Sequence, residues 1–149
     1  MSFMRATPIV ASLLLLSACV SNPPKPTISE YVKTEGGGFA IDRTDNGSQV
    51  SYGMTYSLLR RVGENPSATV EFENPQKDSN SLVVEKEIIP GEDRLVIASP
   101  PLPCIENNRT YIVTLKLFAN GGLVAEHKDQ VQFSVPGNMQ SQLNLTWCK

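Results

Sequence analysis

Apolar and polar positions alternate with a period of two through most of the chain. Val50, Tyr52, Met54, Tyr56 and Leu58 take every second place in one run. Ala68, Val70 and Phe72 alternate with Thr69, Glu71 and Glu73, and Asn74-Pro75 closes that run. Leu82 to Ile89 follows and stops at Pro90-Gly91, and Arg94 to Ala98 comes next. Tyr111, Val113, Leu115 and Leu117 face one way while Thr114 and Lys116 face the other. Successive strand side chains point to opposite faces, so this pattern predicts half-buried strands. Asn120-Gly121 supplies the two residues that tolerate positive φ in a type I′ hairpin turn. Leu123–Glu126 and Val131–Val135 are predicted as the returning strand or strands, and Leu143–Cys148 as the last. Seven to eight short strands between turn signals, with no helical period, predict an antiparallel β-sandwich, immunoglobulin-like or transthyretin-like.

Length and composition bound this picture. The chain has 149 residues, 40% of them apolar, which suits one domain with an appendage. Thirteen basic against fifteen acidic side chains give a net charge of −2. That balance offers no basic footprint for nucleic acid. A single histidine and three cysteines leave little material for a metal centre, and no cofactor-binding motif is present. No metal ligands or cofactor are therefore expected.

The amino-terminal stretch has a different grammar. Arg5 is followed by the apolar run Ile9–Leu16 and then by Ser17-Ala18-Cys19. A basic start, a short apolar run and small residues at its end are the layout of a secretory signal peptide. The run is too short for a membrane-spanning helix, which needs about 20 apolar residues. Leu16-Ser17-Ala18-Cys19 resembles the lipobox of bacterial lipoproteins. That resemblance implies cleavage before Cys19, a diacylglycerol on its thiol and an acylated amino terminus. Acyl chains at about 0.8 kcal/mol per buried CH₂ would anchor the protein firmly. Val20-Ser21 follow the cysteine, and the resemblance then favours the outer membrane and a domain facing the periplasm.

The predicted organisation is a signal peptide over 1–18, a tether over 19–38 and a β-sandwich domain over 39–149. Pro23, Pro24 and Pro26 stiffen the start of the tether, and Gly36-Gly37-Gly38 reads as a flexible joint. Ile28, Tyr31 and Val32 are candidates for a short docking segment within it. With Cys19 assigned to the lipid, Cys104 and Cys148 remain as a pair in an oxidising compartment, and a disulfide is expected.

Candidate chemistry is sparse. His127 and Asp129 would share a strand face, as an imidazole and its orienting carboxylate do. No Gly-x-Ser-x-Gly elbow accompanies them, and a polar stretch between strands explains them as well. Glu71/Glu73 and Glu85/Glu87, at i, i+2, mark a solvent face rather than an acid–base pair. Asp42 to Gly47 lacks the alternating acids and distal glutamate of a calcium loop and reads as a turn. The sequons at Asn108 and Asn144 carry no weight in a bacterial lipoprotein. No catalytic residues are assigned. Pro100, Pro101, Leu102 and Pro103 form a stiff, partly apolar loop anchored by Cys104, the best candidate contact surface. The expected role is a non-enzymatic interaction or assembly module binding another envelope protein, an accessory of secretion, pilus or transport machinery. The alternative is an inhibitor whose loop plugs a cell-wall-degrading enzyme.

Overall fold

The computed structural model describes residues 28–77 and 79–149. The expected signal peptide, Cys19 and the first part of the tether lie outside the described residues. Seven strands form two antiparallel sheets: β1 (Val32–Thr44), β2 (Gly47–Leu58) and β5 (Arg94–Ala98) in the order β1-β2-β5, and β3 (Pro66–Phe72), β4 (Leu82–Glu87), β6 (Arg109–Ala119) and β7 (Gly122–Phe133) in the order β4-β3-β6-β7. The protein is an all-β sandwich. The chain crosses between sheets after β2, β4 and β5, which gives immunoglobulin-like connectivity. Relative to the constant-type order, the fourth strand pairs with the third instead of lying in the first sheet.

The period-two runs are the inner faces. Tyr52, Met54 and Tyr56 of β2 meet Val70, Phe72, Tyr111, Val113, Leu115 and Leu117 from the opposite sheet, all buried. Each such side chain contributes about 1.5–3 kcal/mol by leaving water. Phe39 ties the layers together, stacking on Tyr52 at 5.1 Å between ring centroids and meeting Phe133 edge-on at 4.8 Å. The Asn120-Gly121 turn forms as predicted, with φ of 47° and 77°, and joins β6 to β7. The two segments expected after it are one continuous strand, because β6 runs long enough to pair every position from Gly122 to Phe133 except at one irregularity.

Two expectations are corrected. Val32–Gly38 belong to the domain and not to a flexible joint, since β1 pairs with β2 from Val32↔Leu58 to Thr44↔Gly47. Of the three glycines Gly37 serves packing: a Cβ there would sit 2.2 Å from Met54 Sδ. The expected last strand, Leu143–Cys148, is also replaced. Gly137–Leu143 form a short helix, α1, ended by Asn144 in the left-handed region at φ 48°. Beyond it only the parallel bridge Ile105↔Trp147 remains. Seven residues make barely two turns, too few to show a period in the sequence.

Strand directions define two ends. One carries residues 28–31, the β2–β3 and β4–β5 loops and the Asn120-Gly121 turn. The other, about 40 Å away along the thirteen residues of β1, carries the proline loop, α1 and the carboxy terminus.

Candidate functional site

The loop after β5 keeps following β2. Ser99 N–H donates to Tyr52 C=O at 2.8 Å, and Leu102 N–H donates to Val50 C=O at 2.7 Å. Ser99 Oγ accepts from Tyr52 N–H at 3.1 Å and donates to Pro100 C=O at 2.8 Å. Prolines fall at 100, 101 and 103, where the ladder asks for no donor. Leu102 is buried in the core, 8% exposed, so of the four loop residues expected to meet a partner it is unavailable. Pro100, Pro101 and Pro103 are exposed around it.

The base of the loop is fastened twice. Cys104 and Cys148 form the expected disulfide, with their Cα atoms 5.0 Å apart. Ile105 N–H donates to Thr146 C=O at 2.9 Å, and Cys148 N–H donates to Ile105 C=O at 3.0 Å. Between this base and the β1–β2 turn lies a cavity of about 340 Å³. Its polar lining is uncharged, from Thr44, Asn46, Ser48, Gln49, Asn144 and Thr146, over Leu102 and Leu145. Of the Asp42–Gly47 stretch expected as a turn only Asp45-Asn46 turn, while Asp42–Thr44 end β1 and Gly47 begins β2.

A second polar cluster surrounds His127, which is buried in β7 at 4% exposure. Its Nδ1 accepts from Ser29 N–H at 2.9 Å, so the ring proton sits on Nε2. Nε2–H faces Thr34 Oγ1 at 2.9 Å and Asp129 Oδ2 at 3.2 Å, and Thr34 Oγ1 donates to Asp129 Oδ2 at 2.8 Å. His127 and Asp129 do share a face. The order of partners is nevertheless wrong for an activated nucleophile. A base needs a free nitrogen toward the hydroxyl and a carboxylate on the other nitrogen. Here hydroxyl and carboxylate crowd the same nitrogen, and the hydroxyl proton points at Asp129. The cluster joins the edge strands β1 and β7 across the sandwich. Tyr56 packs edge-on against the imidazole at 5.8 Å, and its buried hydroxyl has no hydrogen-bond partner among the described residues. Burial, then the neighbouring Asp129 carboxylate, push its pKa well above the ordinary value. Ser29, Thr34 and Tyr56 carry no sequence signal that joins them to His127. Only strand register brings them together.

Glu71, Glu85 and Glu87 lie as expected on the outward face of β3 and β4, and Glu73 lies half-buried just past the end of β3. Glu71 bonds Lys116 at 2.5 Å, and Glu73 accepts from Arg109 at 2.5 Å and from Ile112 N–H at 2.8 Å. Glu85 and Glu87 are exposed. Among the described residues no group of three or more His, Cys, Asp or Glu side chains could hold a metal ion. No described helix is long and apolar enough to cross a membrane.

Fold and site thus define a disulfide-stapled β-sandwich with a fastened proline loop at one end and a buried polar clasp along one side. No family model matches the chain, and no curated protein matches it. Among solved structures it is similar to the GH2 beta-galacturonidase from Eisenbergiella tayi bound to galacturonate, at 17% identity and a TM-score of 0.39. That likeness covers 69% of this chain and 19% of the other, and carries no argument about either fold or activity.

Proposed function

We propose that the chain is an outer-membrane-anchored lipoprotein, lipidated on Cys19, whose periplasmic β-sandwich acts as a non-enzymatic interaction or assembly module. Its partner is another envelope protein, a component of secretion, pilus or transport machinery. The observation that carries this reading is the placement of the proline loop. Pro100, Pro101 and Pro103 stand exposed on a base fixed by Leu102, Ser99 and the disulfide. They lie at the end opposite residues 28–31, through which the chain from Cys19 arrives. Rigid, apolar, pre-ordered contact residues lose little entropy on binding. A loop held away from the anchored end is free to reach a partner.

Crosslinking in intact cells, followed by mass spectrometry, tests the reading. The expected result is a membrane-complex partner whose recovery falls when Pro100, Pro101 and Pro103 are replaced by serine and the fold is retained. Cys19→Ser is expected to abolish lipid labelling. A soluble 1:1 complex that inhibits a wall-degrading enzyme would move the assignment to the inhibitor reading.

A further inference from the structure

We propose that the end of the sandwich bearing Leu59 and Ile89 is a bilayer-docking face that seats against zwitterionic, phosphatidylethanolamine-type headgroups. The proposal rests on the reading of Cys19 as the lipid anchor. Four exposed large apolar side chains gather at this end: Ile28, Leu59, Ile89 and Leu123, at 83%, 57%, 65% and 58% exposure. Singly, exposed apolar residues need no explanation; gathered at one end they mark an interaction surface. Leu59 and Ile89 flank an open groove of about 760 Å³ between the β2–β3 and β4–β5 loops. Leu123 follows the Asn120-Gly121 turn, which is bonded to the same loop through Asn120 N–H and Glu64 C=O at 2.9 Å.

Chain length says what covers this face. Tyr31 C=O accepts from Leu59 N–H at 2.8 Å and Glu30 pairs with Arg60 at 3.2 Å, so residues 30–31 are fastened here, while Ser29 turns to the flank and bonds His127. From Cys19 to Ile28 the chain has nine steps, a reach of at most about 30 Å when extended. The opposite end lies about 40 Å farther along β1. A chain this short cannot let the opposite end turn to the bilayer, which leaves this end and the adjoining β1/β7 flank within reach.

The charges around the groove are of both signs. Arg60 and Arg61 stand beside Leu59, and Glu64, Glu87, Glu92 and Asp93 line the other walls. Glu92 is paired with Lys86 at 2.5 Å. With Arg60 held by Glu30 and Glu92 by Lys86, a zwitterionic headgroup would offer phosphate to Arg61 and ammonium to Glu64, Glu87 and Asp93, whereas a purely anionic surface would be repelled by this excess of acids.

The chain provides its own control, because its single tryptophan, Trp147, lies at the far end. The lipidated full chain and its Leu59→Trp and Val96→Trp variants are reconstituted into phosphatidylethanolamine-rich vesicles with brominated acyl chains. Trp147 and the Val96→Trp reporter, on the outer face of a strand, are expected to stay unquenched. The Leu59→Trp reporter is expected to lose about half its emission, as for a side chain seated 5–10 Å into the interface. An unquenched Leu59→Trp reporter on chains that co-float with the vesicles overturns the docking face and leaves the anchor standing. Quenching confined to phosphatidylglycerol vesicles and removed by salt overturns the headgroup assignment. Chains that do not co-float overturn the anchor reading, and this proposal falls with it.

Discussion

Thr34 and His127, 93 positions apart, meet through Oγ1 and Nε2 at 2.9 Å, and the Thr34 hydroxyl donates its hydrogen bond to Asp129. This contact closes the side of the sandwich where the two sheets end in β1 and β7. It replaces a backbone ladder that two strands from different sheets cannot form. Removing the hydroxyl leaves a buried imidazole N–H and a half-buried carboxylate with one partner fewer. Thr34→Val is therefore expected to cost about 1–3 kcal/mol in urea titration. Amide exchange at Ser29 should rise with it, because Ser29 N–H depends on the same ring.

Alkaline pH gives a second test. Tyr52, Tyr56 and Tyr111 all have pKa values raised in the folded protein, burial being the first cause in each. The unfolded chain releases its phenolic protons at the ordinary value near 10. Above that pH the unfolded state binds fewer protons than the folded one, so stability falls as pH rises. Their contribution is complete below about pH 10 and is lost as the pH climbs from there toward the folded-state values. Urea midpoints measured across that range should drop steeply, and Tyr56→Phe should flatten the slope.

The disulfide bridges a sequence separation of 44 residues. Loop closure of that size restrains the unfolded chain by about 4 kcal/mol. The double variant Cys104→Ser/Cys148→Ser is expected to lose stability on that scale in chemical denaturation. Its first loss should be local, seen as exchange at the backbone amides of Ile105 and of position 148.

Glycines separate a strand from a linker. A Cβ on Gly53 would meet Ile97 C=O at 2.8 Å and the Ala98 backbone at 3.3 Å, which cannot move aside cheaply. Gly36 and Gly38 have open space at that position. Gly53→Ala should cost about 1–3 kcal/mol. Gly36→Ala should be neutral or stabilise by about 0.5–1 kcal/mol. Were residues 36–38 a free joint, Gly37→Ala would leave the thermal midpoint unchanged; with Met54 Sδ 2.2 Å from the added Cβ, it should lower it.

Within the proline loop, stability and binding are expected to divide. Leu102→Asp buries a charge in the core and should destabilise the fold strongly in a melting experiment. Pro101→Ser changes an exposed residue and should leave the melt within about 0.5 kcal/mol of the parent. An effect of Pro101→Ser on crosslinking then reports contact and not folding.

The inner faces of the sandwich were legible because Val50–Leu58 and Tyr111–Leu117 display their burial as alternation. The Asn120-Gly121 turn was legible because its residues answer a backbone demand. Gly36-Gly37-Gly38 misled, since a glycine run signals freedom in isolation and close packing when a neighbour such as Met54 fills the space. Leu102 looked like a surface residue by its proline neighbours, but its backbone bond to Val50 turns its side chain inward. The cluster around His127 was half visible: the Asp129 neighbour follows from strand spacing, while Ser29, Thr34 and Tyr56 arrive by pairing across the fold. Long-range register is set by all the strands together, and no local pattern encodes it.

The pairing of β1 with β2 has a mechanical consequence for an anchored protein. β1 starts at the end where the chain arrives and runs through twelve paired positions toward the proline loop. A pull between the membrane and a partner held at that loop lies nearly parallel to these strands. The rungs of the ladder then resist together in shear, instead of opening one at a time as they would if peeled from an end. The edge strand that looked like a slack joint is the element through which the domain would bear tension.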